Sequence, residues 1–396
     1  MSRRPDFSGV IEVAPETERY PELDCTGDRG VIRALFYRGI DVEGRRTRVF
    51  AYLGVPEHAS PERPAPAIVL VHGGGGTAFA SWVRRWVERG YAAIAMDTNG
   101  NLPASPGSED FVRDPDAAAG SSGDPFFSGI ELPAEAQWMY AAISSVILAH
   151  SLLRADPRID PSRIGLSGIS WGGLIASLAT CHDPRFAYSI PVYGCGYLHE
   201  SCGEFSTRIT PGAVADLWDP SGGLDSVSTP MLWLNSDIDP FFSADASSRS
   251  AAASGGALTL LPDFGHGHHE GWSPAEIYRF ADQQARGGLG LIQVTSEEHR
   301  IAEQMLVMQL AVPEDMGVAE ACIRWLEEEP VYAKDSDGAW RLTSPWHTRP
   351  LTVDPAARIV EAHIPPTARW YYVNVIGTDG DERYTTSSRL YRRREE

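Results

Sequence analysis

Lysine is almost absent from this chain. Of 34 basic residues only Lys334 is a lysine, and 53 acidic residues leave a formal charge of −19. A surplus of that size disfavours nucleic acid, an anionic membrane surface or a strongly anionic substrate as partner, although it leaves room for local basic pockets. Cysteine is also scarce. The five residues Cys25, Cys181, Cys195, Cys202 and Cys322 are odd in number and lack metal-like pairing, so a reduced interior is the simplest expectation, with Cys195 and Cys202 the one pair near enough in sequence to bridge across a loop. No apolar core follows Arg3 and Arg4, so no signal peptide is expected and a cytoplasmic location is. Nor is there a long uncharged apolar run. The best stretch, Ala134 to Leu153, carries Glu135, Gln137 and His150 and predicts a buried helix, not a membrane span.

What is present is a soluble, core-forming composition, 43% hydrophobic and 22% charged, over 396 residues. That length exceeds one average domain. Val31 to Tyr37 and Thr47 to Leu53 predict an antiparallel hairpin turning near Glu43-Gly44. Ala67 to Val71 then predicts a buried strand that empties into His72-Gly73-Gly74-Gly75-Gly76, and Ala78 to Arg89, closed by Gly90, predicts a helix.

The richest stretch is Ile164 to Gly173. An apolar strand runs into Gly168-Ile169-Ser170-Trp171-Gly172 and on into helix-like sequence. Two glycines flanking a serine let a strand turn into a helix so tightly that the serine is held strained with its hydroxyl presented. A serine hydroxyl is a weak nucleophile at neutral pH. It needs a histidine to accept its proton, a carboxylate to fix that histidine's tautomer, and backbone amides to receive the oxyanion. The amides are expected at Trp171, directly after the nucleophile, and at Gly74 or Gly75 of the glycine loop.

The acid and the base should follow the serine, each just past a strand. After Met231-Leu232-Trp233-Leu234 the loop Asn235 to Pro240 offers both Asp237 and Asp239. After Ala257 to Leu261 the loop from Pro262 offers His266, His268 and His269. Ser273, Pro274 and Glu276 predict a capping box and Gly287-Gly288 a helix end, which puts these histidines on a strand-to-helix loop. The His266-x-His268-His269-Glu270 cluster is not read as a metal site, because adjacent histidines on a strand point to opposite sides and no second ligand group is spaced to join them.

Four segments together, His72 to Phe79 with Ser81-Trp82, Arg89 to Asp97, Gly168 to Gly173, and Pro191 to Gly196, resemble the acetylxylan-esterase and dienelactone-hydrolase-like branch of the α/β-hydrolases over residues 30 to 285. That resemblance implies a mostly parallel central sheet with helices on both faces, and hydrolysis of carboxylic esters, often acetyl groups on plant polysaccharides, without metal or organic cofactor. It also implies Asp239 as the acid and His266 as the base. The expected enzyme is therefore a serine esterase using Ser170, His266 and Asp239 on a small-molecule or oligosaccharide ester, preferably an acetylated carbohydrate. A peptidase or amidase on the same fold and a catalytically silent binding protein are the alternatives. Tyr193 and Trp171, each following a core strand, are expected to line the substrate pocket, whereas Trp138 and Tyr140 are expected to pack in a helix and His72 to brace the glycine loop.

The catalytic domain is expected over residues 1–288, with insertion loops near 98–133 and 197–223 that border the site. Over 289–396 the pattern shifts to short alternating segments: Met305 to Ala311, Ala321 to Leu326, Ala339 to Leu342, Arg358 to Ile364 and Trp370 to Ile376 predict strands, turning at Asp335 to Gly338 and Asp379-Gly380. Ala319 to Glu328 also reads as helix. This region resembles fibronectin- or immunoglobulin-like sandwich modules; Trp340, Trp346 and Trp370 are its candidates for carbohydrate contact, with core or interface packing the commoner use of such residues.

Overall fold

The computed structural model describes residues 5–27, 30–42, 44–117, 127, 129–207, 209, 211–354, 356 and 358–393. The chain forms two compact units, Met1–Gly194 with Thr210–Pro230, and Cys195–Ile209 with Met231–Glu396. Residue 288 lies within the second.

The first unit is built on a twisted sheet. Its strands are β1 (Gly30–Arg38), β2 (Arg48–Gly54), β3 (Ala65–Val71), β4 (Ala92–Met96), β5 (Ile159–Ile169) and β6 (Tyr188–Val192), in the spatial order β1-β2-β4-β3-β5-β6, with Thr17–Arg19 on the β1 edge. β1 and β2 form the expected antiparallel hairpin and β2 pairs antiparallel to β4. From β4 onward all pairs are parallel. Every residue of β3 and β4 is buried, as strands covered on both faces must be.

Helix α1 (Ala80–Glu88) carries the chain from β3 to β4. Helix α2 (Trp138–Ala155) carries it back past β3 to β5, and α3 (Trp171–His182) onward to β6. The crossover directions are opposite for α1 and for α2 and α3, so constant right-handedness puts α1 on one face and the other two on the opposite face, where they touch each other. Helix α2 is buried along nearly its whole length, Trp138 and Tyr140 included, and no helix of the described residues is long and apolar enough to cross a membrane. In the first insertion, Asn101–Pro103 pairs antiparallel with Phe111–Arg113. Residues 118–126 and 128 of that insertion, with Gly120, Gly123 and Pro125, lie outside the described residues, as does Glu43 of the hairpin turn.

The second unit opens with the parallel pair β7 (Leu232–Ser236) and β8 (Ala257–Leu261), joined by α4 (Ala244–Ser254) and followed by α5 (Ala275–Arg286). The helix α5 ends on Gly287 in the left-handed region, as the sequence predicts, but its start differs. Glu276 is buried and turned away to accept the Thr385 N–H, while the Ser273 hydroxyl donates back to the His269 carbonyl, so no capping box forms. Tertiary pairing has taken the carboxylate that local sequence assigns to the cap.

The longer C-terminal strands form two antiparallel sheets, and Tyr332–Lys334 pairs antiparallel with Trp340–Leu342 in a third, two-stranded one. One runs β9 (Gln293–Arg300), β10 (Met305–Ala311), β13 (Ile359–His363); the other runs β12 (His347–Leu351), β11 (Gly317–Leu326), β14 (Trp370–Asp379), β15 (Glu382–Ser387). Residues 319–326 are strand rather than helix, paired on both sides by β12 and β14. The five cysteines are free thiols.

Candidate active site

Strand β5 ends at Ile169 and α3 begins at Trp171, so Ser170 alone makes the turn. Its backbone has φ 59° and ψ −121°, a conformation that costs an L-residue about 1–3 kcal/mol and persists only where neighbours enforce it. They do so on every side. The Ser170 N–H donates to the Val192 carbonyl at 2.8 Å and the Ser170 carbonyl accepts from Leu174 N at 3.0 Å. A Cβ on Gly168 would lie 2.0 Å from the Gly172 carbonyl oxygen, and one on Gly172 would lie 2.1 Å from the Val71 carbonyl oxygen. Both positions must be glycine for strand and helix to approach this closely.

Trp171 opens a helix of 12 residues, so its N–H is one of the amides that no intrahelical carbonyl can satisfy, at the positive end of the helix dipole. Its ring is buried and lies edge-on to Phe127, with centroids 5.8 Å apart. Tyr193 follows β6 at φ 55° and is fully buried.

The glycine loop after β3 is held from below. Nε2 of His72 accepts the Thr98 N–H at 3.0 Å, which leaves the proton on Nδ1 to donate to the Gly73 carbonyl at 2.6 Å; His72 is thus a buried brace. The Asn99 side chain donates to the Gly74 carbonyl at 2.7 Å and that of Asn101 to the Gly76 carbonyl at 2.9 Å. Asp97 shapes the donor loop by accepting the N–H groups of Asn99, Gly100 and Asn101 on one oxygen. With these carbonyls engaged, the N–H groups of Gly74 and Gly75 find no protein acceptor among the described residues. In the sequence Asn99 marks only a long loop; Asp97, Asn99 and Asn101, three side chains of this type in five residues after a strand, are a turn signal, but their hold on the glycine loop is set by contacts 25 residues apart.

In the second unit Asp239 and His266 come together. Oδ2 of Asp239 accepts from Nδ1 of His266 at 2.6 Å, and Oδ1 accepts the N–H groups of Phe241 and Phe242, both at 2.8 Å. Asp239 is buried, and the His266 ring lies edge-on to Phe241 with its side chain 18% exposed. Asn235 pins this loop by donating to the Phe242 carbonyl and to Ser247 Oγ. With Nδ1 donating to a carboxylate, Nε2 is the ring nitrogen whose lone pair can accept a proton.

Asp237 is directed elsewhere. Its Oδ2 meets the Arg324 guanidinium at 2.7 Å and the Tyr372 hydroxyl at 2.9 Å, its Oδ1 accepts the Asp263 N–H at 3.1 Å, and its carbonyl accepts from Trp346 Nε1 at 2.8 Å. His268 and His269 open the short helix His268–Gly271, with the His269 ring edge-on to Trp272. Trp370 donates to Glu329, and Lys334 sits over Trp340. No group of three or more His, Cys, Asp and Glu among the described residues is placed to hold a metal ion.

Residues 18–199 match the model of the acetyl xylan esterase family AXE1. Among solved structures, an acetyl xylan esterase from Paenibacillus sp. R4 is similar at 18% identity and a TM-score of 0.52, over 70% of this chain and 91% of the other. Acetyl xylan esterase 1 from Thermoanaerobacterium sp. JW/SL YS485 is similar at 16% identity and a TM-score of 0.51, over 71% and 93% of the two chains. A comparison with curated protein sequences finds no match.

Proposed function

We propose that the chain, whose residues 18–199 match the acetyl xylan esterase family model and whose fold is similar to that of two acetyl xylan esterases, is a carboxylic ester hydrolase of that branch of the α/β-hydrolases and works as a serine deacetylase of acetylated carbohydrates, with Ser170, His266 and Asp239 as its triad. The observation that carries this reading is the strained Ser170 on a strand-to-helix turn, a local cost of the kind that concentrates at functional sites. The Asp239–His266 pair supports it as the standard base and orienting acid of such a nucleophile.

In this mechanism the Ser170 hydroxyl attacks the ester carbonyl as His266 Nε2 takes its proton. Asp239 keeps the proton on Nδ1 and stabilises the imidazolium. The tetrahedral oxyanion is received by the N–H of Trp171 and that of Gly74 or Gly75, each donor of this kind contributing roughly 3 kcal/mol. His266 then gives that proton to the sugar oxygen as its bond to the acyl carbon breaks, so that the sugar departs as its hydroxyl, and water, activated by the same nitrogen, releases acetate from Ser170. Trp171 and Tyr193 are assigned to the pocket wall. The acetyl-carbohydrate preference rests on the family match and on the activity named for the two similar structures.

The test is hydrolysis of 4-nitrophenyl acetate and butyrate by the wild type and by Ser170→Ala, followed by acetylated xylo-oligosaccharides. Loss of about four to six powers of ten in turnover is expected. Activity indifferent to Ser170, or no labelling of Ser170 by a fluorophosphonate, would overturn the assignment. Cleavage of peptide but not ester substrates would favour the peptidase reading.

A further inference from the structure

Asp237 lies two residues before Asp239 and is as deeply buried, yet its carboxylate is held by Arg324 and Tyr372, which belong to β11 and β14 of the C-terminal module. Burying a carboxylate and a guanidinium together is seldom a gain in stability over apolar packing, so such a pair is better understood by what geometry it fixes. Here it fixes two loops at once. The Asp237 N–H donates to Leu261 at the end of β8, and its Oδ1 accepts the N–H of Asp263, which stands at φ 53° at the head of the turn leading to His266. One side chain therefore joins the loop of the acid to the loop of the base, three residues before the histidine.

The module also grips β8 directly. Leu260 of β8 donates its N–H to Ser387 Oγ and accepts at its carbonyl from Asn374 Nδ2, while the Thr259 hydroxyl donates to the Thr385 carbonyl. Side chains from β14 and β15 thus take up backbone groups of β8 just before the histidine loop begins.

We infer that the C-terminal β module is a brace for the two loops that carry Asp239 and His266, with Arg324, Tyr372 and Trp346 as positioning residues acting through Asp237. The inference rests on the triad reading for its catalytic consequence but not for its structural one. Arg324 is further oriented by Thr348 of β12 at 2.9 Å, so three strands of the module converge on one carboxylate. The Trp346 indole N–H holds the Asp237 carbonyl, which fixes the peptide plane leading toward Asp239.

The experiment compares Tyr372→Phe, Trp346→Phe, Arg324→Lys and Arg324→Met in the full chain with Val360→Ala, a core change in β13, on the sheet that does not carry Arg324 and Tyr372. Ester kinetics are read with the low-field proton resonance of the His266 Nδ1–H, assigned by its loss in His266→Gln. Expected for the first two variants is a fall in kcat of roughly tenfold to hundredfold with KM nearly unchanged, and a shifted or broadened resonance. Arg324→Lys should retain more activity than Arg324→Met, and Val360→Ala should lower the melting temperature without moving the resonance. Wild-type kcat and an unmoved resonance in folded Tyr372→Phe and Trp346→Phe would overturn the brace. Should Ser170→Ala stay active, the triad reading fails, and the resonance alone still decides whether the module holds these loops.

Discussion

Asp239 divides its carboxylate between two tasks: one oxygen accepts a hydrogen bond from Nδ1 of His266 at 2.6 Å, and the other accepts from the N–H groups of Phe241 and Phe242. Asp239→Asn should separate them. The amide oxygen can still accept from both backbone groups, so the loop should fold and the melting temperature stay near that of the wild type. The amide NH2 would then face Nδ1 and force the proton to Nε2, the wrong tautomer for a base. Turnover of 4-nitrophenyl acetate should fall by about four powers of ten with little change in KM. A variant with near-wild-type turnover would remove Asp239 from the mechanism.

Asp237→Asn should act on a different quantity. Its loss leaves Arg324 buried without its counter-charge, a change that costs about 3–5 kcal/mol where a buried pair is broken. Thermal unfolding should show a large fall in stability for Asp237→Asn and a small one for Asp239→Asn. The reverse order would contradict the roles given to the two carboxylates.

The glycine loop offers a third test. Asn99 and Asn101 hold the carbonyls of Gly74 and Gly76, so in Asn99→Ala and Asn101→Ala the amides assigned to the oxyanion lose their fixed aim. The expected result is a fall in kcat of about tenfold to a few hundredfold, within what one misdirected oxyanion donor costs, with KM moved less. Substitutions in the two glycine clusters should diverge. A Cβ at Gly172 meets two carbonyl oxygens, at 2.1 and 2.5 Å, whereas a Cβ at Gly75 meets nothing within 4 Å. Gly172→Ala should fail to fold stably and Gly75→Ala should melt like the wild type, both read by circular dichroism.

Features encoded by neighbouring residues were legible in the sequence. The buried strand at 65–71, the turn at Ser170, the helix end at Gly287 and the strand at 305–311 all follow from local apolar runs and glycine placement. Strands such as Gln293–Arg300, His347–Leu351 and Glu382–Ser387 were not, because their residues are largely polar or exposed and their pairing comes from distant partners. Glu276 shows the same limit: a capping signal in sequence, a partner of Thr385 across 109 residues in the fold. The two candidate acids and three candidate bases are equivalent by spacing. What separates them in the fold is which partner each meets, His266 for Asp239 and Arg324 for Asp237.

Acid sensitivity of the first unit should originate at His150. Its ring is fully buried, stacked on Phe186, with Nδ1 2.9 Å from Oδ2 of Asp183. Burial pushes its pKa below the ordinary 6.5, and the attraction of Asp183 is opposed by Arg185 and Arg154, so the folded ring stays neutral where the unfolded one takes a proton. The unfolded state then binds more protons, and stability rises with pH across the window just below 6.5 and is lost as pH falls through it. Asp183 behaves alike at lower pH. Burial alone would raise its pKa, but Arg185 and His150 hold it well below the usual carboxylate range, so its contribution is complete above about 3.8 and disappears only beneath that. Between pH 7 and pH 5 the fall in melting temperature should therefore depend on His150, and His150→Asn, which places an uncharged amide near the Nδ1 position, should flatten it. A melting temperature that falls as steeply in the variant as in the wild type would move the acid-labile group elsewhere.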